Sequence, residues 1–115
     1  MPRVKRGTTK NKKRKRILKK TKGYRHRRNS HKRAAKEALT KAGRDAYRDR
    51  KRKKREMRRR WQVIINAALS DHELSYSQFI HQLKENGIGL DRKVLSQLAQ
   101  NKPEAFSAIV EKVSK

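Results

Sequence analysis

The chain has 115 residues, no cysteine, and 36 Lys and Arg against 10 Asp and Glu, which gives a formal net charge of +26. This composition excludes disulfide-stabilised folds and thiolate metal sites, and the length allows one domain at most. No apolar run approaches the ~18 residues of a membrane span, and the first residues lack the apolar stretch of a signal peptide, so an intracellular, soluble chain is expected.

The excess positive charge lies entirely in the first half of the chain. Residues 1–60 contain 30 of the 36 Lys and Arg and 4 of the 10 Asp and Glu (30 − 4 = +26), whereas residues 61–115 contain six of each and are neutral. Nucleic acid is the abundant polyanion that neutralises so many cations at once, because its phosphates release counterions when Lys and Arg replace them. The leading partner is therefore RNA or DNA.

Residues 1–27 are predicted to be irregular. They combine dense positive charge with Pro2, Gly7 and Gly23 and have no sustained hydrophobic period. Because few large apolar side chains are available to offset the entropy of ordering, this segment is expected to order only against a partner surface.

Residues 28–60 are predicted to form one long helix, and the helical pattern continues to Leu69. The segment consists mostly of Ala, Arg, Lys and Glu, which are good helix formers, and it contains no proline. An alanine at every fourth position over 34–46 forms a narrow stripe that suits close approach to a flat surface. Ten of the thirteen residues in 48–60 are basic, so a bound polyanion has to offset their mutual repulsion.

After Trp61 the pattern becomes that of a small, all-helical globular domain, residues 61–115, with four short elements. Ser75 starts a capping box, Gly87 is a typical left-handed helix terminator, and Asp91 and Pro103 begin the last two helices. The apolar positions recur at helical spacing. The predicted inward-facing residues are Trp61, Ile64, Ile65, Ala68, Tyr76, Phe79, Ile80, Leu83, Val94, Leu95, Leu98, Phe106, Ile109, Val110 and Val113.

Three aromatic residues lie next to arginines. Tyr24, in a segment with no core to join, is predicted to stack on exposed bases, as aromatic rings do in RNA-binding proteins. For Tyr47, stacking on bases and packing along its own alanine stripe stay equally open. Trp61 is predicted to belong to the core of the domain.

The remaining polar residues indicate neither catalysis nor metal binding. Neither histidine pair has the i,i+4 spacing of a helical zinc site, and no nucleophile elbow, phosphate loop or paired-carboxylate pattern is present. A lipid-binding helix would need a broad apolar face opposite its charge, which residues 28–60 lack. The sequence therefore predicts no enzyme, no cofactor, no metal, no small-molecule substrate and no membrane partner.

Several separate motifs, in order along the chain, carry a resemblance to one family. They are MPRVKRG (1–7), KGYRHRR (22–28), AYRDRKRKKR (46–55), INAA (65–68), LSYSQFI (74–80) and GIGLDRKVLSQLA (87–99). With these motifs the chain resembles the family of the bacterial large-subunit ribosomal protein twenty over essentially its whole length.

The resemblance implies an all-α fold in which a long basic extended or helical arm precedes a small orthogonal four-helix domain. It also implies that Pro2–Arg60 penetrate large-subunit ribosomal RNA, that the protein acts early in subunit assembly, and that neighbouring large-subunit proteins are partners. Some family members also repress their own messenger RNA through the carboxy-terminal domain. The location implied is the cytoplasmic ribosome, with the plastid stroma left open.

The candidate RNA-binding residues combine the family's matched positions with neighbouring cations. In the basic half they are Arg3, Lys5, Arg6, Lys12, Lys13, Arg14, Arg16, Lys22, Gly23, Tyr24, Arg25, Arg27, Arg28, Lys32, Arg33, Tyr47, Arg48, Arg50, Lys51, Arg52, Arg55 and Arg59. In the domain they are Asn66, Ser75, Ser77, Arg92 and Lys93, and Asp91 is a further matched polar surface residue.

Four positions depart from the family's usual pattern. Met57 replaces a common phenylalanine, Arg60 an apolar residue, Ile64 an arginine and His26 a glycine. The change at Ile64 removes an expected phosphate contact, and the change at His26 alters how closely the backbone approaches RNA.

The sequence thus predicts a structural constituent of the large ribosomal subunit. Two alternatives stay open at this point. One is an architectural or regulatory DNA-binding protein, in which the short helices form a helix-turn-helix and the basic half clamps the duplex. The other is an RNA chaperone or free translational repressor that uses most of the same residues.

Overall fold

A computed structural model describes all residues 1–115 and contains helices but no strands. Five α-helices follow one another: α1 (Arg6–Lys20), α2 (Lys32–Leu69), α3 (Tyr76–Glu85), α4 (Arg92–Asn101) and α5 (Pro103–Ser114). The chain divides into two compact units, Met1–Lys51 and Arg52–Lys115. The boundary between the units therefore lies inside the basic segment, whereas the change from a basic to a neutral sequence comes after residue 60. The all-α class is confirmed; the arm followed by an orthogonal four-helix domain stays a prediction.

The prediction that residues 1–27 are irregular is wrong for Arg6–Lys20, which form α1. The helix has no side-chain cap at its start, but Lys19 and Lys20 lie in its last turn, where cations interact favourably with the helix dipole. Ile17 and Leu18, its two large apolar residues, are half-buried. The intrinsic helix preference of Lys, Arg and Leu therefore prevails over the few poor helix formers near the start of α1.

Two residues between α1 and α2 have left-handed backbone conformations. Gly23 has a φ of +88°, and no atom lies within 4 Å of the position that a Cβ would take, so the backbone angle and not lack of space favours glycine there. His26 has a φ of +58°. This conformation disfavours most side chains but is tolerated by histidine, so the backbone adopts it here without a glycine.

The long helix α2 is confirmed, with different ends from the predicted 28–60. It begins at Lys32, after a short 3-10 helix at His26–Arg28, and continues without a break to Leu69. Its start is marked by the backbone bond from the Ala35 nitrogen to the His31 oxygen, 2.9 Å long. The helix thus contributes residues to both compact units.

The core of the second unit is built from the end of α2 together with α3, α4 and α5. The Phe79 and Phe106 rings lie 5.8 Å apart at an interplanar angle of 56°, a favourable tilted aromatic pair. The fully or almost fully buried residues of this core are Ile65, Leu69, Phe79, Leu83, Leu95, Phe106, Val110 and Val113. Seven of these eight residues were predicted from helical spacing, and Leu69 is the addition.

Local signals in the sequence account for the helix ends of this unit. At the end of α3, Gly87 has a φ of +66°, its nitrogen donates to the Lys84 oxygen, and the Ile88 nitrogen donates to the Leu83 oxygen. This pair of bonds is the Schellman motif that a left-handed glycine permits. Asp91 caps α4 by accepting a 2.8 Å hydrogen bond from the Val94 nitrogen.

Three predicted core residues lie elsewhere. Val94 keeps 39% of its surface exposed, whereas Ser96, two residues later on α4, is only 2% exposed and donates a hydrogen bond to the Lys93 oxygen. Trp61 and Ile64 are half-buried and do not belong to the core cluster. All three residues have the spacing of an inward face, but the neighbouring helices do not cover that edge of it.

The capping box at the start of α3 leads to a prediction. The Gln78 nitrogen donates to Ser75 Oγ (3.4 Å), and the Ser75 nitrogen donates to Gln78 Oε1 (3.1 Å). Replacing Ser75 with Ala removes the acceptor and is expected to lower the free energy of unfolding by about 1 kcal/mol. Urea unfolding of the full chain, followed by Trp61 fluorescence, measures this loss.

The matched control is Ser77→Ala, two residues later, where the hydroxyl lies 3.2 Å from Ser75 Oγ but accepts from no backbone nitrogen. It should change the free energy of unfolding by less than about 0.5 kcal/mol, as most surface substitutions do. Equal effects of the two substitutions would contradict the capping assignment.

Candidate nucleic-acid interface

All thirty Lys and Arg side chains of residues 1–60 are exposed. On α1 and the residues before it, the candidates Arg3, Lys5, Arg6, Lys12, Lys13 and Arg16 make no hydrogen bond or ion pair within the protein. Arg14 is the exception, because its Nη2 donates to the Ser30 oxygen at 2.7 Å. This contact ties the middle of α1 to the segment that leads into α2, so Arg14 has a structural use as well.

The segment between α1 and α2 places Tyr24 beside the alanine stripe. A groove of about 410 Å³ is lined by Tyr24 and Arg28 from this segment and by residues of α2 that include Ala34, Ala38 and Lys41. Tyr24 is half-buried there, while the candidates Lys22, Arg25, Arg27 and Arg28 are exposed. The predicted stacking of Tyr24 on a base stays a prediction, and any base would have to approach along this groove.

On α2, each of the four carboxylates of the basic half lies next to an arginine. Arg33 pairs with Glu37 (3.8 Å between Nε and Oε1), and Arg52 pairs with Glu56 (2.8 Å between Nε and Oε1). The other two, Asp45 and Asp49, are described with Arg48 below. The candidates Lys32, Arg50, Lys51, Arg55 and Arg59 are in no ion pair.

Arg48 is the most heavily paired of these cations. Its Nε lies 3.0 Å from Asp49 Oδ1, its Nη1 lies 3.7 Å from Asp45 Oδ1, and Arg44 Nε also approaches Asp45 at 3.7 Å. The hydrogen bond and charge of Asp49, followed by the charge of Asp45, raise the pKa of the Arg48 guanidinium above its ordinary value. Because Arg48 is fully exposed, water screens these pairs, and phosphates can compete for it at little cost.

Tyr47 keeps 58% of its surface exposed. Its neighbour one turn later, Lys51, holds its Nζ 4.4 Å from the centre of the ring and donates a 2.8 Å hydrogen bond to the phenol oxygen. This exposure favours stacking over packing along the alanine stripe, and the stacking of Tyr47 on a base stays a prediction. The ammonium group of Lys51 is attracted to the face of the ring, and a stacked base could take the place of this ammonium group.

In the second unit, a groove of about 510 Å³ brings together candidates from different parts of the sequence. We call it the Asn66 groove. Its lining residues are Arg59, Gln62, Val63, Asn66, Ser75, Tyr76 and Ser77.

Several polar atoms of the Asn66 groove already have protein partners. Asn66 Oδ1 accepts a 3.3 Å hydrogen bond from the Tyr76 nitrogen, and Ser75 caps α3. The Tyr76 hydroxyl accepts a 2.7 Å hydrogen bond from Arg92 Nε, which links the candidate Arg92 to the groove. The side chains of Asn66 and Ser75 are therefore used to hold α3 in place. Arg59, which is in no ion pair, is the cation of this groove that is available to a ligand.

Lys93 lines a different groove from Tyr76, the hydrogen-bond partner of the adjacent residue Arg92. We call it the Trp61 groove; its volume is about 230 Å³, and its lining residues are Met57, Arg60, Trp61, Ile64, Lys93, Ser96, Gln97 and Gln100. Sequence reasoning did not single out most of these residues for binding, nor Gln62, Val63 and Tyr76 of the Asn66 groove. Projection of residues 57–66 on a helix would have placed the α2 residues of each groove on one face, but would not have shown which residues of α4 lie opposite.

Two features of the structure concern membranes and metals. No helix has the length and apolar character needed to cross a bilayer. No three histidine, aspartate or glutamate side chains are grouped closely enough to hold a metal ion.

Comparison with known proteins matches nearly the whole chain to one family. The family described as ribosomal protein L20 matches residues 3–109. The chain is 55% identical to the large ribosomal subunit protein bL20 of a Bradyrhizobium species, over 97% of this chain and 94% of the relative. It is 53% identical to the protein of the same name from Leptospira biflexa (97% and 96% covered) and 55% identical to that of Magnetococcus marinus (96% and 95% covered).

Proposed function

This chain belongs to the ribosomal protein L20 family, and from that premise we propose that its basic half binds large-subunit ribosomal RNA directly and supports early assembly of the subunit. Membership makes the chain a structural constituent of the large ribosomal subunit and not an enzyme. The proposal concerns how it performs that role.

One observation carries the proposal. Within residues 1–60 only Arg33, Arg44, Arg48 and Arg52 lie near a carboxylate, and these pairs already use all four carboxylates of the segment. Thirty cations less these four leave 26 exposed cations without a protein counterion. A surface of this kind needs a polyanion, and folded RNA supplies closely spaced phosphates together with released counterions.

The two halves of the chain take different parts in this function. We assign Pro2–Arg60 to the extension that lies between RNA helices and offsets phosphate repulsion, so that distant RNA segments can pack together. Residues 61–115, which are neutral, position the extension by shape and a few polar contacts, because contacts of that kind set register while bulk charge supplies affinity. Neighbouring large-subunit proteins are expected to contact the same domain.

Binding to its own messenger RNA is a second candidate function, and the position of Arg60 favours it. Ile64 stands where the family commonly has an arginine, but Arg60, one helical turn earlier, lines the same Trp61 groove. The groove, which lies in the unit Arg52–Lys115, therefore keeps an arginine.

Crosslinking of the protein to RNA in cells, followed by sequencing of the attached fragments, tests both functions. We expect reads concentrated at a few places in large-subunit ribosomal RNA, because the cations and the folded domain bind at fixed positions. An additional peak on one messenger would establish repression as a further role. Reads spread over DNA or over many transcripts would contradict the proposal in favour of the architectural or chaperone alternative.

A further inference from the structure

The Trp61 groove combines four kinds of group within one small space. Its apolar side is formed by Met57, Trp61 and Ile64 of α2, and its cations are Arg60 and Lys93. Two side-chain amides, those of Gln97 and Gln100, complete the rim on α4. The Ser96 hydroxyl is buried and already donates to the Lys93 oxygen, so the amides and cations are the polar groups left for a ligand.

Charge and size narrow the class of ligand. No carboxylate lines the groove, and neither Arg60 nor Lys93 is in an ion pair, so the groove is complementary to an anion. Its volume, about 230 Å³, lies below the roughly 300–1,000 Å³ typical of pockets for drug-sized ligands. A ligand of this size with a flat apolar part and one negative charge fits the available groups.

We propose that the Trp61 groove binds one unpaired nucleotide of a folded RNA, with its base against Trp61 and its phosphate between Arg60 and Lys93. Aromatic rings and arginines hold splayed-out bases and their phosphates in this way, and amides such as those of Gln97 and Gln100 donate to and accept from base edges. This inference rests on the proposed function, because it assumes that RNA is the partner, and adds a specific site within the second compact unit, Arg52–Lys115.

The lining of the groove also identifies the phosphate contacts. Arg60 of α2 and Lys93 of α4 are the only cations that line it, so the phosphate is assigned to these two residues.

The fluorescence of Trp61 tests the proposal directly, because it is the only tryptophan of the chain. The full-length protein is titrated with an oligoadenylate RNA of about eight nucleotides, within the ~4–16 nucleotides of typical single-strand sites. Linear polyphosphate of equal charge is the control that has no bases. Stacking predicts strong quenching of Trp61 emission by the oligoadenylate and little by polyphosphate.

Two double variants of equal charge test whether the RNA is bound by the groove itself. Arg60→Gln with Lys93→Gln should raise the RNA concentration at half-maximal quenching by about tenfold or more, because two charge-assisted contacts are lost. The matched control, Lys84→Gln with Lys112→Gln, removes the same charge from exposed positions of the neutral half that line neither groove and should shift this concentration by less than about threefold. Circular dichroism verifies that all variants keep their helices.

Each other outcome overturns the proposal. Equal quenching by polyphosphate would mean that the groove reads charge and not bases, and equal shifts for the two double variants would mean that the groove has no special part. Stronger quenching by an oligoglutamate peptide would assign the groove to an acidic protein segment instead. If the chain retains oligoadenylate on a filter without quenching, the groove assignment fails while RNA binding stands, whereas no retention at all contradicts the proposed function itself.

Discussion

Replacement of Arg48, Arg50 and Arg52 by glutamate is expected to abolish incorporation of the protein into large ribosomal subunits. The three residues lie on exposed positions of α2, within the stretch where ten of thirteen residues are basic. Each substitution removes a cation and adds a carboxylate that phosphates repel. A new acid at position 48 would also face Asp45 and Asp49, which now hold the arginine.

The loss is expected to be visible in salt dependence as well as in assembly. Each phosphate contact contributes about −0.9 to the slope of log affinity against log salt, so loss of three contacts should reduce the slope by about three. The tagged variant is expressed beside the wild-type protein, and its sedimentation with large subunits is measured. Normal sedimentation of the variant with mature subunits would contradict the proposed role of this segment.

A charge-matched variant excludes a general effect of net charge. Lys84, Lys112 and Lys115 all lie in the neutral half, and their replacement by glutamate changes the total charge by the same amount. This variant should still enter subunits, because the domain positions the protein mainly by shape and polar contacts. Equal loss of both variants would show that total charge, and not its position on α2, is what assembly requires.

The second large effect is expected from Leu95→Ala in the core of the carboxy-terminal unit. Leu95 is fully buried on α4, and removal of a buried leucine typically lowers the free energy of unfolding by about 2–5 kcal/mol, because contacts are lost and a cavity remains. A domain of this size buries a smaller fraction of its surface than larger domains do and has little stability to spare. Urea unfolding of the full chain, followed by Trp61 fluorescence, measures the loss.

The residue before it provides the control. Val94 is 39% exposed, so Val94→Ala should change the free energy of unfolding by no more than about 0.5 kcal/mol, and the better helix preference of alanine opposes any loss. The hydrogen bond to the Asp91 carboxylate uses the backbone nitrogen of Val94, not its side chain, and therefore survives the substitution. Similar losses for the two variants would contradict the observed orientation of α4.

Structural features that depend only on nearby residues could be predicted from the sequence. The capping box at Ser75, the left-handed Gly87 and the cap at Asp91 each depend on atoms within a few residues, and all three are confirmed. The long helix α2 was also predictable, because its helix preference is summed over many residues. Seven of the eight core residues followed from helical spacing.

Other features depended on neighbours far along the chain. Residues 6–20 lack a hydrophobic period, so helix preference was the only local indication of α1, and the contact of Arg14 with the Ser30 oxygen, sixteen residues later, could not be foreseen. Val94 and Trp61 have inward spacing, yet whether a helix covers them is decided by how the other helices pack. Spacing identifies an apolar face but not its width.

The same distinction applies to function. The sequence by itself determined the partner class, because the net charge of residues 1–60 and the order of the motifs need no coordinates. Only the tertiary structure decided which polar residues are free: Asn66 and Ser75 are used to hold α3, whereas Arg60 and Lys93, 33 positions apart, line one groove. The physical reason is that charge and helix preference accumulate along the chain, while a groove exists only where residues from separate helices meet.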